Sequence, residues 1–119
     1  MNSLTKKLSI VALFLSFMAI SNLSYSQCSN LANYFISGGG STNGGVTPVN
    51  IYLAYSSQDN VQYKLKRNGV TVSSKYGDGD SVLVWSNITA IGTYQIYAVW
   101  GGCEKLMNLN GLSSVTVTY

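Results

Sequence analysis

The chain has 119 residues, 9% of them charged, with no histidine, two cysteines and a formal charge of +3. That length suits one compact domain, and the missing histidine removes Ser-His and Cys-His nucleophile activation. So sparse a charge builds no basic patch for nucleic acid.

The first predicted element is an export signal. Lys6 and Lys7 precede an apolar run, Leu8 to Ile20, of about 13 residues, too short for a span that needs about 20. Ser24 and Ser26 stand as small residues before a cut after Ser26, which assigns 1–26 to the signal peptide and 27–119 to the mature domain. The alternatives are an uncleaved apolar helix or a lipoprotein acylated at Cys28. Gln27 and Tyr25 stand where a lipidation site carries a small residue and a leucine. Cleavage also removes Lys6 and Lys7. Five cations (Lys64, Lys66, Arg67, Lys75, Lys105) then face four acids (Asp59, Asp78, Asp80, Glu104), a net charge of +1. The expected location is secreted, extracellular or periplasmic, with no membrane span after cleavage.

Two cysteines in an oxidising compartment pair with each other. A Cys28–Cys103 bridge closes a loop of about 76 residues, for which chain entropy predicts about 4.5 kcal/mol of stabilisation. A redox role would call for a second nearby thiol or an activating base, and the chain has neither a C-x-x-C motif nor a histidine.

Behind the leader the apolar residues alternate with period 2, and no helical stripe appears. A first strand is expected around Asn33 to Ser37, followed by a mobile Gly/Ser/Thr/Asn-rich loop from Gly38 to Pro48. Val49, Ile51, Leu53 and Tyr55 alternate with polar or small neighbours, as do Val61, Tyr63 and Leu65. Asn68-Gly69 predicts a two-residue type I′ hairpin turn, after which Val70 and Val72 resume the apolar alternation. Tyr76 to Asp80 reads as a loop and Val82 to Trp85 as a strand. Tyr94, Ile96, Ala98 and Trp100 alternate next, then Val115, Val117 and Tyr119. About seven short strands at this spacing predict an all-β fold, an antiparallel β-sandwich.

Two segments carry a family resemblance. The run from Ile88 to Ala98, with Gly92-Thr93-Tyr94 inside it, resembles the entry to strand F of immunoglobulin-like domains, where Gly-x-Tyr sets a tyrosine at the E–F corner. The run from Val61 to Val72 resembles their strand C and its hairpin, with Tyr63 in the place of the usual core tryptophan. The whole is similar to the single Ig-like domains of secreted and cell-surface proteins of Bacteroidetes-type bacteria. The departures are Ala90 for the usual aspartate, a shorter corner, and Ile96 where strand F carries its cysteine. The resemblance therefore implies no inter-sheet disulfide. Instead the bridge would tether the start of strand A to the F–G loop. Fibronectin type III and PKD-like sandwiches share the Gly-x-Tyr, so the topology stays open among the three.

The sequence contains no catalytic constellation, and neither a metal site nor a cofactor is expected. Asp78-Gly79-Asp80 has the spacing to begin a calcium loop but lacks the further acids, and a turn accounts for it. Asp80-Ser81-Val82 resembles the O-glycosylation acceptor of Bacteroidetes, which makes Ser81 the candidate for modification. With Tyr63, Leu65, Tyr94, Ile96, Val115 and Val117 turned to the core, Lys64, Lys66, Gln95, Tyr97, Val99, Thr116 and Thr118 share the outer face. An aromatic among lysines, amides and threonines suits a sugar or protein ligand. The Trp100 to Lys105 stretch, read as a loop, is the other candidate. The expected function is non-enzymatic adhesion or recognition at a cell surface, with a protein or glycan as partner. The alternative is a structural subunit or periplasmic accessory that joins a larger assembly through a sheet edge.

Overall fold

The computed structural model describes residues 29–54, 56–79 and 81–119. The signal peptide, its cut after Ser26, Cys28, Tyr55 and Asp80 lie outside the described residues. Nine strands follow in chain order: β1 Ile36–Gly38, β2 Gly40–Ser41, β3 Val49–Leu53, β4 Gln62–Arg67, β5 Val70–Tyr76, β6 Leu83–Ile88, β7 Gly92–Trp100, β8 Cys103–Leu106 and β9 Val115–Thr118. They form two sheets, one ordered β1-β3-β6 and the other β2-β9-β7-β4-β5, with β8 also paired to β7. All pairs are antiparallel except β2 with β9. The protein is all-β, compatible with a β-sandwich.

One apolar core joins the sheets. Ile36, Ile51, Leu53, Leu83 and Trp85 come from the first sheet, and Tyr63, Leu65, Tyr94, Ile96, Ala98 and Val117 from the second. The alternation read in β3, β4 and β7 is thus the inside–outside alternation of paired strands. Val115 is only half-buried and packs at the core's margin. Tyr94 donates its O–H to the Ala90 carbonyl at 2.7 Å, which fixes the corner between β6 and β7.

Several expectations need correction. The first strand starts at Ile36, not Asn33, because the Asn33 side chain is engaged with Asn108 at 2.9 Å in each direction, ahead of any ladder. Nor is 38–48 a plain loop. Gly38, Gly39 and Gly40 all take positive φ, and there the chain leaves one sheet to join the other as β2. A Cβ on Gly38 would lie 2.2 Å from the Asn50 carbonyl oxygen, so only glycine fits this crossing. Fully buried Thr42 then fixes the next turn. Its hydroxyl donates to Thr118 O at 2.8 Å and accepts from Gly45 N–H at 3.0 Å.

The Asn68-Gly69 turn has φ +50° and +85° and closes on the Arg67–Val70 pair, as a type I′ hairpin requires. Yet Val70 and Val72 do not bury: they are 67% and 50% exposed. The register shifts by one residue on β5, so that Ser73 and Lys75, not the valines, stand opposite core residues Leu65 and Tyr63. The strand expected to begin at Val82 begins at Leu83 and runs on to Ile88.

The stretch read as a loop from Trp100 to Lys105 is a tight hairpin. Gly101-Gly102, φ +58° and +79°, turns β7 into β8 with Trp100 opposite Cys103. A Gly-Gly pair between alternating residues is itself a hairpin signal. With β2 and β8 added, the described residues form nine strands where about seven are expected.

Candidate functional site

The register of β4 against β7 sets Gln62 opposite Val99, Lys64 opposite Tyr97 and Lys66 opposite Gln95. All six lie on the side of the larger sheet turned away from the core, and all are half-buried. Five of the eight predicted binding residues are therefore adjacent: Lys64, Lys66, Gln95, Tyr97 and Val99. Thr116 pairs with Thr93 at the start of β7, and Thr118 lies two residues further along β9. Both share the outer face but sit at a far corner, roughly 13 Å along the strand from Tyr97. Trp100 falls on the opposite face. It has the parity of Ala98 and Ile96 and stands 40% exposed beyond the end of the core.

The strand β8 adds what the sequence reading missed. It places Leu106 opposite Tyr97 and Glu104 opposite Val99. Lys66 lies over the Tyr97 ring, its Nζ 4.2 Å from the centroid, and ends 2.6 Å from Glu104 Oε1. The cation thus caps one ring face and reaches across β7 to a carboxylate on β8. The hydrogen bond from Lys66 holds the Glu104 carboxyl below the usual range, with the charges of Lys66 and Lys64 adding to it and partial desolvation opposing it. The short-range cue for Glu104 was the Gly101-Gly102 turn, which sets β8 beside β7.

The depressed Glu104 pKa stabilises the folded chain above the unfolded value of about 4.5, and this contribution is lost as pH falls through the lower folded value. Because the Glu104 side chain is 39% exposed and so partly screened by solvent, Glu104→Gln is expected to cost no more than about 0.5–1 kcal/mol at pH 7 and less at pH 2. Urea midpoints of both proteins at the two pH values read this difference.

The other singled-out residues have plain surroundings. Asp78 Oδ1 accepts from Ser81 N–H at 2.9 Å and from Ser57 Oγ at 3.3 Å, which makes it a turn residue. Ser81 is exposed just after that turn. Cys103 opens β8 and is 7% exposed. Next to it in the fold, Lys105 Nζ donates to the Leu31 carbonyl at 3.0 Å, and Leu109 N–H donates to the Tyr34 carbonyl at 3.0 Å. Among the described residues, no group of three or more His, Cys, Asp or Glu is arranged to hold a metal ion. No helix among them is long and apolar enough to cross a membrane.

No family model matches the chain, and no curated protein or solved structure matches it either.

Proposed function

We propose that the protein is an exported, non-enzymatic recognition module with Ig-like connectivity, whose contact surface is the outer face of the larger sheet. The carrying observation is the cluster itself. Lys64, Lys66, Gln95, Tyr97 and Val99 stand side by side on the two central strands, and no described element covers them. A ligand meets an aromatic ring already capped by a cation, flanked by amide and aliphatic groups. That surface favours a protein or an acidic glycan over a neutral sugar, which would need the bare ring.

Two features support the Ig-like reading. The strand order sets β1-β3-β6 against β2-β9-β7-β4-β5, with β8 also on β7; apart from β2 and β8 this resembles the partition of A, B and E from G, F, C and C′. The Tyr94 O–H bond to Ala90 O is the contact of a tyrosine corner. The Cys28–Cys103 bridge belongs to the same proposal. The tie between Leu31 and Lys105, two residues past Cys103, supports the pairing. O-glycosylation of Ser81 is proposed with it, and would appear as hexose increments on the exported protein's mass.

The test is binding of the exported protein to surface glycans and proteins of its producing cell. Tyr97→Ala is expected to weaken that binding by tenfold or more, the loss of about 1.4 kcal/mol or more. Binding unchanged by this substitution contradicts the proposal.

A further inference from the structure

The smaller sheet is narrower than the sheet it faces. It ends at β6, the larger one ends at β5, and no described strand lies beside either edge. Between the two edges opens a cavity of about 240 Å³. Leu65, Ile88 and Tyr94 give it an apolar lining, with Val72 on the β5 side and Asn87 and Thr89 on the other.

The edge of β5 is unusually inviting. Val70, Val72 and Tyr76 are 67%, 50% and 67% exposed, and Lys75 is the only charge on the strand. An edge strand presents unpaired backbone N–H and C=O groups to which another chain can pair.

Charge indicates what would pair there. Arg67 lines the cavity and is held by its Nε, which donates to the Ile91 carbonyl at 2.9 Å. Its terminal guanidinium nitrogens have no acceptor among the described residues. No carboxylate lines the cavity. Glu104 is taken by Lys66 on the outer face, and Asp59 and Asp78 lie beyond the other end of the β4–β5 hairpin. The same flank of a second copy does not supply the missing group, since neither Val70–Tyr76 nor Leu83–Ile88 contains an acid.

We propose that this flank is a strand-accepting site for an extended acidic segment of a partner polypeptide. The segment pairs its backbone with the edge of β5, sets an apolar side chain over Leu65 and Tyr94, and presents a carboxylate to Arg67. Strand addition supplies affinity through the backbone and specificity through alternate side chains. The guanidinium fork suits a carboxylate in two-point contact. The site is separate from the outer-face cluster, so either proposal can fail alone.

A displayed random heptapeptide library, selected on the exported protein, tests it. Enriched peptides are expected to alternate apolar residues with Asp or Glu and to shift the amide resonances of β5 and β6. Val72→Asp, which alters only an exposed side chain and repels a carboxylate, and Arg67→Gln are each expected to weaken them roughly tenfold or more. Tyr97→Ala is expected to leave them unchanged. Because Arg67→Gln also releases the Ile91 carbonyl, its amide spectrum is compared with that of the parent protein, and Val72→Asp stands as the independent variant. No enrichment, enriched peptides without a carboxylate, or binding indifferent to Val72→Asp overturns the proposal and leaves the outer-face reading untouched. Peptides mapping to Tyr97 overturn it too, and favour that reading.

Discussion

Tyr63→Ala is expected to cost about 3–5 kcal/mol of stability, which brings a domain of this size to the limit of folding. Tyr63 is fully buried at the centre of β4, flanked by Lys75 on β5 and Ala98 on β7. Its ring fills the middle of the shared core, and its oxygen accepts the Gln58 N–H at 2.9 Å. Gly77 packs against the same ring: a Cβ there would lie 3.0 Å from the Tyr63 ring and 2.0 Å from the Gln58 carbonyl oxygen. Alanine at 63 therefore opens a cavity and leaves a part-buried N–H without its acceptor. Tyr63→Phe separates the two effects, keeping most of the packing and losing the acceptor, for about 1–3 kcal/mol. Burial pushes the Tyr63 phenol above its ordinary value of 10.0. Its contribution is therefore fully present below pH 10 and is lost as pH rises toward the folded value. Urea denaturation of the two variants reads the ranking, and a Tyr63→Ala loss below about 1 kcal/mol would contradict the core described above.

Opening the proposed Cys28–Cys103 bridge is expected to cost about 4 kcal/mol, close to the chain-entropy figure for so long a loop. Cys28→Ser and Cys103→Ser break the same bond, so their losses should be similar and the double variant little worse than either. Cys103→Ser is expected to be somewhat the more harmful, because it also sets a hydroxyl at a position only 7% exposed. Denaturation with and without reductant measures the effect on the parent protein, and the serine variants should be insensitive to reductant. Additive losses in the double variant would show that the two cysteines act separately.

The central strands were legible from alternation because both of their faces have a definite fate. In β4 and β7 one face meets the other sheet and one meets solvent, so Tyr63, Leu65, Tyr94 and Ile96 announce themselves. The outer cluster followed from the same parity. Alternation does not reveal how wide the opposing sheet is, and on β5 it does not decide burial. Its valines keep the pattern of a buried face but lie beside a one-residue register shift, on an edge strand opposite a narrower sheet. The parity of Trp100 put it in line with the core, yet the core ends before it. Glu104 was missed because the Gly101-Gly102 turn was read as part of a loop, which hid the strand that carries the ion-pair partner of Lys66. The crossing at Gly38–Gly40 looked like flexible composition, although each glycine there has a positive φ that the change of sheet uses.

Recognition at a cell surface presupposes export and a closed bridge, and the intact mass of the protein recovered from outside the producing cell reads both. The expected result is a chain beginning at Gln27, two hydrogens lighter than the reduced form, with no thiol open to alkylation before reduction. A chain that still begins at Met1, or one with two free thiols, would contradict an exported, bridged β-domain.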